Sequence, residues 1–390
     1  MPGDLISTLN FFAESRYRPM MENRYPLPEQ EDEFNSLSAN DYDLNTPAIK
    51  KVLQEQILPA IHYMTGGKGW RPYLSEKFAE SFGVELPEEF YVMSHGDQCA
   101  SLGIDDIEDH FLGLELKSDA KRRGEPAAYL KFSPELVTAV GMFMLYHGDS
   151  MLASQEVPYS SKEQLLQHHL SAKSDLTLGQ AIDIGFRNLG SDIYDIITLE
   201  DHETMCLLKT GAMIEKDLGY VKEYVLSELI ENINFLQSDK EMFYHNRFEI
   251  ISTANKITQL SKIDIVGISN KIASMYQDGD DIKGVGKSSK IGKIDYDDLY
   301  AGNVVRPVIH FLNDAEAKDR TAFIAIFEKP NKSEEDVKFL WNSLNKYDSI
   351  NKTKVEVLQL RNEILEEINN GSLEQTIFGR TLSNFVNRFA

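Results

Sequence analysis

Apolar residues recur at intervals of three and four along almost the whole chain. Residues 49–64 (IKKVLQEQILPAIHYM), 135–152 (ELVTAVGMFMLYHGDSML), 163–172 (EQLLQHHLSA), 204–218 (TMCLLKTGAMIEKDL) and 355–368 (VEVLQLRNEILEEI) all carry this spacing. It gathers apolar side chains into one stripe of a helix. Strand-like alternation is nearly absent, so the pattern predicts an all-α fold. Thr198 with Asp201, and Ser333 with Asp336, have the three-residue spacing of helix-starting capping pairs. Residues 22–46 are acidic, proline-marked and aperiodic, so residues 1–46 are expected to form a partly mobile N-terminal arm. Residues 47–390 are then expected to form a single all-α domain.

Of the 390 residues, 42% are hydrophobic and 26% charged, the balance of a chain with a real core. The formal charge of −22 repels nucleic acid and anionic membrane, and an anionic substrate then needs a local basic pocket. Two cysteines, Cys99 and Cys206, support neither a disulfide framework nor a cysteine zinc site. No uninterrupted apolar run reaches eighteen residues, and the first residues lack a basic-then-apolar leader pattern. The expectation is a soluble, cytoplasmic protein with no membrane span.

Against that background, SLGIDDIEDHF at 101–111 is unusual, because Asp105, Asp106 and Asp109 follow a nearly uncharged run. On a helix Asp105 and Asp109 share one face, with Asp106 about 100° round. Such an arrangement is either a solvated helix end or a cation site. Residues 89–104 carry few charges, which favours acids opening into a cavity, and hard oxygen donors suit Mg²⁺. A second pair, Asp280 and Asp281 in MYQDGDDIKG, ends a comparable run; Asp-Gly is also ordinary turn chemistry. Cations gather in three short segments. GGKGWRP places Lys68 and Arg71 after paired glycines, KRRGEP supplies Arg122 and Arg123, and LLKTG supplies Lys209 and Thr210. Guanidinium groups and exposed backbone N–H groups suit phosphate. A solvated turn or a snorkelling lysine is the plain alternative for each.

The order GGKGWRP, DDIED, KRRGEP, LTLGQAIDI, LLKTG, YQDGDD, from residue 66 to about 310, resembles the trans-isoprenyl diphosphate synthases, or polyprenyl synthetases. The resemblance implies an isoprenoid synthase-type helical bundle around a central cavity, acting as a homodimer. It also implies several Mg²⁺ ions held by Asp105, Asp106, Asp109, Asp280 and Asp281, with Gln180 and Asp183 of GQAID in support. Isopentenyl diphosphate would be held by Lys68, Arg71, Gln98 and Arg123, and the allylic diphosphate by Arg122 and Lys209. Lys293 matches a lysine that follows the family's second acidic motif.

The implied reaction is loss of diphosphate from the allylic substrate, attack by the isopentenyl alkene and loss of a proton. It needs no protein nucleophile, and no Ser/His/Asp or Cys/His set is evident; His168 and His169 read as surface or packing residues. One turn before Asp105 stand Ala100 and Ser101. Family members with bulky aromatics there stop at fifteen carbons, so the expected product is geranylgeranyl diphosphate or longer, with Phe143, Met144 or Tyr146 as a more distant floor.

The sequence departs from the family pattern in a loop from Asp109 to Arg122 that is longer than usual, in an insertion around residues 221–262, and at two single positions. Gly284 stands where a third acid is usual, with Asp278 as a candidate substitute, and Asn303 replaces a lysine, with Arg306 the candidate to reach in. These departures keep open a same-fold cyclase, transfer to another acceptor, or a non-catalytic partner subunit.

Overall fold

The structure, a computed structural model, describes residues 5–27, 34–37, 43–109, 111–112, 115–116, 118, 120–122, 124–154, 159–238, 245–287, 295–370 and 373–389. Its elements are helices, apart from two two-residue hairpins, Phe111–Leu112 with Glu115–Leu116 and Lys121–Arg122 with Glu125–Pro126. Every stretch with three-to-four spacing is helical. Thr198 and Ser333 each close a full capping box with Asp201 and Asp336.

Among the described residues, nine of the helices that line the site are labelled in chain order: α1 (Leu5–Phe12), α2 (Trp70–Phe82), α3 (Glu88–Asp109), α4 (Pro134–Ser154), α5 (Tyr159–Leu189), α6 (Leu199–Cys206), α7 (Ala212–Gln237), α8 (Ile265–Gly284) and α9 (Asp297–Ala301). A π-type turn, Leu207–Gly211, joins α6 to α7. The main core takes Phe78, Phe90, Val137, Met144, Val221 and Ile272 from α2, α3, α4, α7 and α8. A second core, with Val285, Leu299, Val308, Phe311 and Phe323, fills the C-terminal part.

Helices α3 and α4 lie very close. A Cβ at Gly141 would come within 3.1 Å of Ile104 and 3.3 Å of the Ala100 carbonyl. Ala100 is fully buried in this seam and does not line the cavity. That corrects its expected place in the chain-length stripe, since the helix turns it toward α4. By length and composition α4 is apolar enough to cross a membrane, with a mean hydropathy of 1.2 over its richest window. Its Val137, Val140, Met144 and Met151 are instead buried in the bundle.

Residues 5–25 contribute more to the body than their arm-like reading anticipates. Phe12, Tyr17 and Tyr25 are buried in the main core. The stretch around 221–262 holds the distal part of α7 and a helix, Arg247–Ser261, packed along it.

Candidate active site

The last turns of α3 carry the first acids to the mouth of a cavity of about 1420 Å³. As the helical spacing requires, they part: Asp105 and Asp109 share a face, while Asp106 turns inward and is 4% exposed. Arg122 donates to both Asp106 oxygens at 2.6 Å and lies 3.6 Å from Asp105. This planar two-point geometry is characteristic of guanidinium and carboxylate.

Lys209 reaches the acids from the π-type turn. Its Nζ is 3.1 Å from Asp105 Oδ1 and 2.7 Å from Asp183 Oδ2. Such turns inside helices often mark functional positions. The reach depends on Gly179 of GQAID, because a Cβ there would fall 2.4 Å from the Lys209 backbone nitrogen. Neighbouring Gln180 donates to Glu108 at 2.9 Å. Arg187 Nη2 lies 3.3 Å from Asp109 Oδ1.

The charges are strongly coupled. Burial would lift the Asp105 carboxyl, but Lys209 and Arg122 outweigh it and hold it below the usual range. Asp109 is pushed up to about 8, by burial first and by Asp105 second. Burial opposes the charge on Lys209, yet Asp105, Asp183 and Asp109 raise it well above an ordinary lysine. The site therefore holds more negative charge than its own cations neutralise.

Across the cavity α8 presents the second pair. Asp280 lines the cavity and pairs with Lys283 at 3.0 Å. Asp281 is 2% exposed and held from three sides, by Gln277 Nε2 at 3.1 Å, the Arg306 backbone N–H at 3.1 Å and His202 Nε2 at 3.2 Å. Thr210 donates to Gln277 at 3.2 Å, tying the lysine turn to this support.

Neither expected substitute enters the cavity. Asp278 is buried on the far side of α8 with Arg306 Nε at 2.7 Å, and Arg306 also binds Glu356 at 3.3 Å. Neither lines the cavity, because each neutralises the other within the core. The place opposite Gly284 belongs to Asp298 on α9. A Cβ at 284 would meet Asp298 Oδ2 at 1.6 Å, and Asn303 donates to the same carboxylate at 2.8 Å. Lys332 also lines this end, with its ammonium 3.5 Å from where a Cβ on Gly302 would lie. Burial lowers its pKa to about 8.

The glycine loop closes the other side. Gly69 opens α2 at φ +58°, and a Cβ there would lie 2.7 Å from the Tyr17 ring, so no larger residue fits. Tyr17 donates to the Gly67 carbonyl. Lys68 and Arg71 line the cavity; Arg71 is 7% exposed and 3.8 Å from Asp217. Gln98 lines it too, and its buried Oε1 makes no hydrogen bond to the described residues. Of the chain-length pair, Ser101 faces the cavity. Tyr146 also lines it, but Phe143 stacks on His147 and Met144 is core. Arg123 and Lys293 fall outside the described residues.

Sequence reasoning missed Asp298, Lys332 and His202, which come from segments with no local signature, and Arg187, which lies one helical turn after Asp183 of GQAID. It also missed α1, whose Leu5, Ile6 and Leu9 line the cavity; the spacing of LISTLNFF was the available signal. The donor set fits magnesium, since Asp105, Asp109, Asp280 and Asp298 offer hard oxygens only. The buried trio His202, Asp278 and Asp281, with ligand atoms within 4.8 Å of one another, is already bonded to cationic and N–H groups.

An all-α bundle with two facing carboxylate groups, a basic rim and an apolar interior has the architecture of the isoprenoid synthase-type fold. The profile of the polyprenyl synthetase family matches residues 54–223, which include the glycine loop, the first acids, GQAID and LLKTG. Over that stretch, less than half of the chain, the protein is similar to the polyprenyl synthetases. A search of curated protein sequences finds no match. Among solved structures, geranylgeranyl pyrophosphate synthetase from Pyrococcus horikoshii is 20% identical, with a TM-score of 0.67, 99% of this chain and 97% of that one covered. Geranylgeranyl pyrophosphate synthase from Corynebacterium glutamicum, complexed with isoprenyl diphosphate and magnesium, is 16% identical, with a TM-score of 0.69 and 98% of each chain covered. Decaprenyl diphosphate synthase from Rhodobacter capsulatus is 15% identical, with a TM-score of 0.66 and 98% of each covered. At these identities the likeness is one of fold.

Proposed function

We propose that the protein condenses isopentenyl diphosphate with an allylic diphosphate, in a magnesium-dependent reaction, to give a linear trans-prenyl diphosphate of geranylgeranyl length or longer. The observation that carries this reading is one cavity in which Asp105 and Asp109 face Asp280 and Asp298 while Lys68, Arg71, Lys209 and Lys332 surround them. Bound between those carboxylates, magnesium supplies Lewis-acid stabilisation of the departing diphosphate.

The chain's own residues supply the rest. Lys209, fixed by Asp105 and Asp183, presents a permanent positive charge where the allylic diphosphate accumulates negative charge. Arg122 holds Asp106 and offers the same charge from the hairpin. Lys68, Arg71 and the unbonded Gln98 Oε1 stand on the opposite side, suited to hold isopentenyl diphosphate with its alkene facing the allylic carbon. Leu5, Ile6 and Leu9 exclude water from the carbocation.

Asp298 supplies the third carboxylate absent at Gly284, and Lys332 the positive charge absent at Asn303. Both sequence departures are thereby offset in space, which supports elongation over a cyclase or another acceptor. The acting unit is a homodimer, supported by exposed apolar residues Met142, Tyr146, Leu170 and Leu178 on α4 and α5. The free, buried cysteines fit a reducing cytoplasm.

The deciding experiment incubates the protein with Mg²⁺, isopentenyl diphosphate and, separately, dimethylallyl, geranyl and farnesyl diphosphates, with products read by mass spectrometry. Products lengthened by five-carbon units are expected. Consumption of the allylic substrate without isopentenyl incorporation would overturn the proposal.

A further inference from the structure

Beyond the cavity, on the side away from the acids, lies a buried layer of charge that the proposed chemistry does not use. Asp97 on α3 accepts from Lys216 Nζ at 2.7 Å and lies 3.2 Å from Lys173 Nζ. Lys173 is also 2.5 Å from Asp149, which His169 meets at 2.5 Å. Lys216 lies 3.3 Å from Asp217, which accepts from Ser94 at 2.7 Å. The side chains of Asp97 and Lys216 are 0% exposed.

Each member sits one helical turn past a residue that lines the cavity. Asp97 lies beyond Ser101 on α3, Asp149 beyond Leu145 on α4, Lys173 beyond Thr177 on α5, and Lys216 beyond Met213 on α7. Four different helices thus contribute to one level of the bundle. Gly148 of α4 faces this level, since a Cβ there would lie 3.0 Å from Asp97 Oδ1. On the glycine-loop side His95 also lines the cavity and binds the Thr65 carbonyl at 2.9 Å.

Asp97 and Lys216 lie in a dry core, with Lys173 and Asp149 14% and 23% exposed at its edge; such charges are costly unless each keeps its partners, and separating them leaves ions with little water to replace the lost bonds. An apolar chain growing past Ser101 meets these ion pairs instead of methyl groups, and gains nothing by parting them. We propose that the layer formed by Asp97, Lys173, Lys216 and Asp149 is the floor of the prenyl-tail tunnel and sets the longest product the enzyme makes. The proposal rests on the prenyl-elongating reading above and adds to it the element that ends elongation. One turn of helix, about 5 Å, is roughly the length of one extended five-carbon unit.

The test compares the wild-type protein with Asp97→Ala/Lys173→Ala/Lys216→Ala, which removes one acid and both ammonium groups together. With Mg²⁺, isopentenyl diphosphate and farnesyl diphosphate, the main product of the variant should be longer by at least one five-carbon unit. Its rate of first addition should stay within about threefold of wild type, because none of the three residues touches the diphosphates. An unchanged ceiling in a folded variant overturns the proposal.

Should the variant fail to fold, the wild-type protein decides by calorimetry with unreactive thiolo analogues of 10, 15, 20 and 25 carbons. Affinity should climb by at least about tenfold per five-carbon unit while the tail is being buried, then stop climbing when it meets the layer. A continued climb through the longest analogue overturns the floor. A levelling-off with no isopentenyl incorporation would sink the elongase reading and leave the floor standing.

Discussion

Asp109 carries the least compensated charge in the site. Its pKa, about 8, is raised by burial and by Asp105, so a proton occupies it at neutral pH until a cation replaces that proton. A carboxyl raised in this way adds stability that is full below the ordinary carboxylate range and is lost as pH rises through about 8. Asp278, raised to about 7 by burial despite Arg306, acts with the same sign. The metal-free protein should therefore lose stability between about pH 4 and 8, as read by denaturant midpoints. Magnesium binding at pH 7 should release a proton, measured by calorimetry in buffers of different ionisation enthalpy, and Asp109→Asn should abolish that release. Lys332 allows a second test. If it replaces the charge absent at Asn303, Lys332→Gln should lower kcat/KM by about 10- to 100-fold, the worth of one charge-assisted bond. An unchanged circular dichroism spectrum would separate this loss from unfolding.

Among the elements, the π-type turn Leu207–Gly211 and helix α5 act as one device. Gly179 lets α5 approach the turn so closely that Lys209 spans from Asp183 to Asp105. Gly179→Ala should destabilise the protein by about 1–3 kcal/mol through overpacking against backbone, and should lower kcat more than stability alone explains. Urea denaturation and steady-state kinetics on the same preparation check both. Helix α3 organises the site along its length, with Asp105 at the mouth, Ser101 in the wall and Asp97 in the charged layer. Ser101→Phe should shorten the product by at least one five-carbon unit; an unaltered product would mean that the tail leaves by another wall.

For the molecule as a whole, the cavity lies where α1, α3, α5, α7 and α8 converge, with the second core bracing α9 and Lys332. The apolar residues exposed on α4 and α5 are more than scattered surface residues and suit an interface. Leu170→Glu with Leu178→Glu, each residue 52% exposed, should shift sedimentation to the monomer if the proposed homodimer uses this face. Helix content should not change.

Much was decided locally and so was legible in the chain. Three-to-four spacing, capping pairs and the positions of Asp105, Asp109, Asp280 and Lys209 follow from 3.6 residues per turn and from short motifs. The bundle and the two acidic helix ends could be read from them. Helix rotation relative to neighbours could not, and it is what buries Ala100 in the seam with α4 while leaving Ser101 in the cavity. Nor could partners distant in sequence. Asp298 fills the space over Gly284, Arg306 turns into the core with Asp278, and Asp97 meets Lys173 and Lys216 from two other helices. Spacing fixes which residues share a face of one helix, but only close packing of several helices decides which faces meet and which charges are paired out of water.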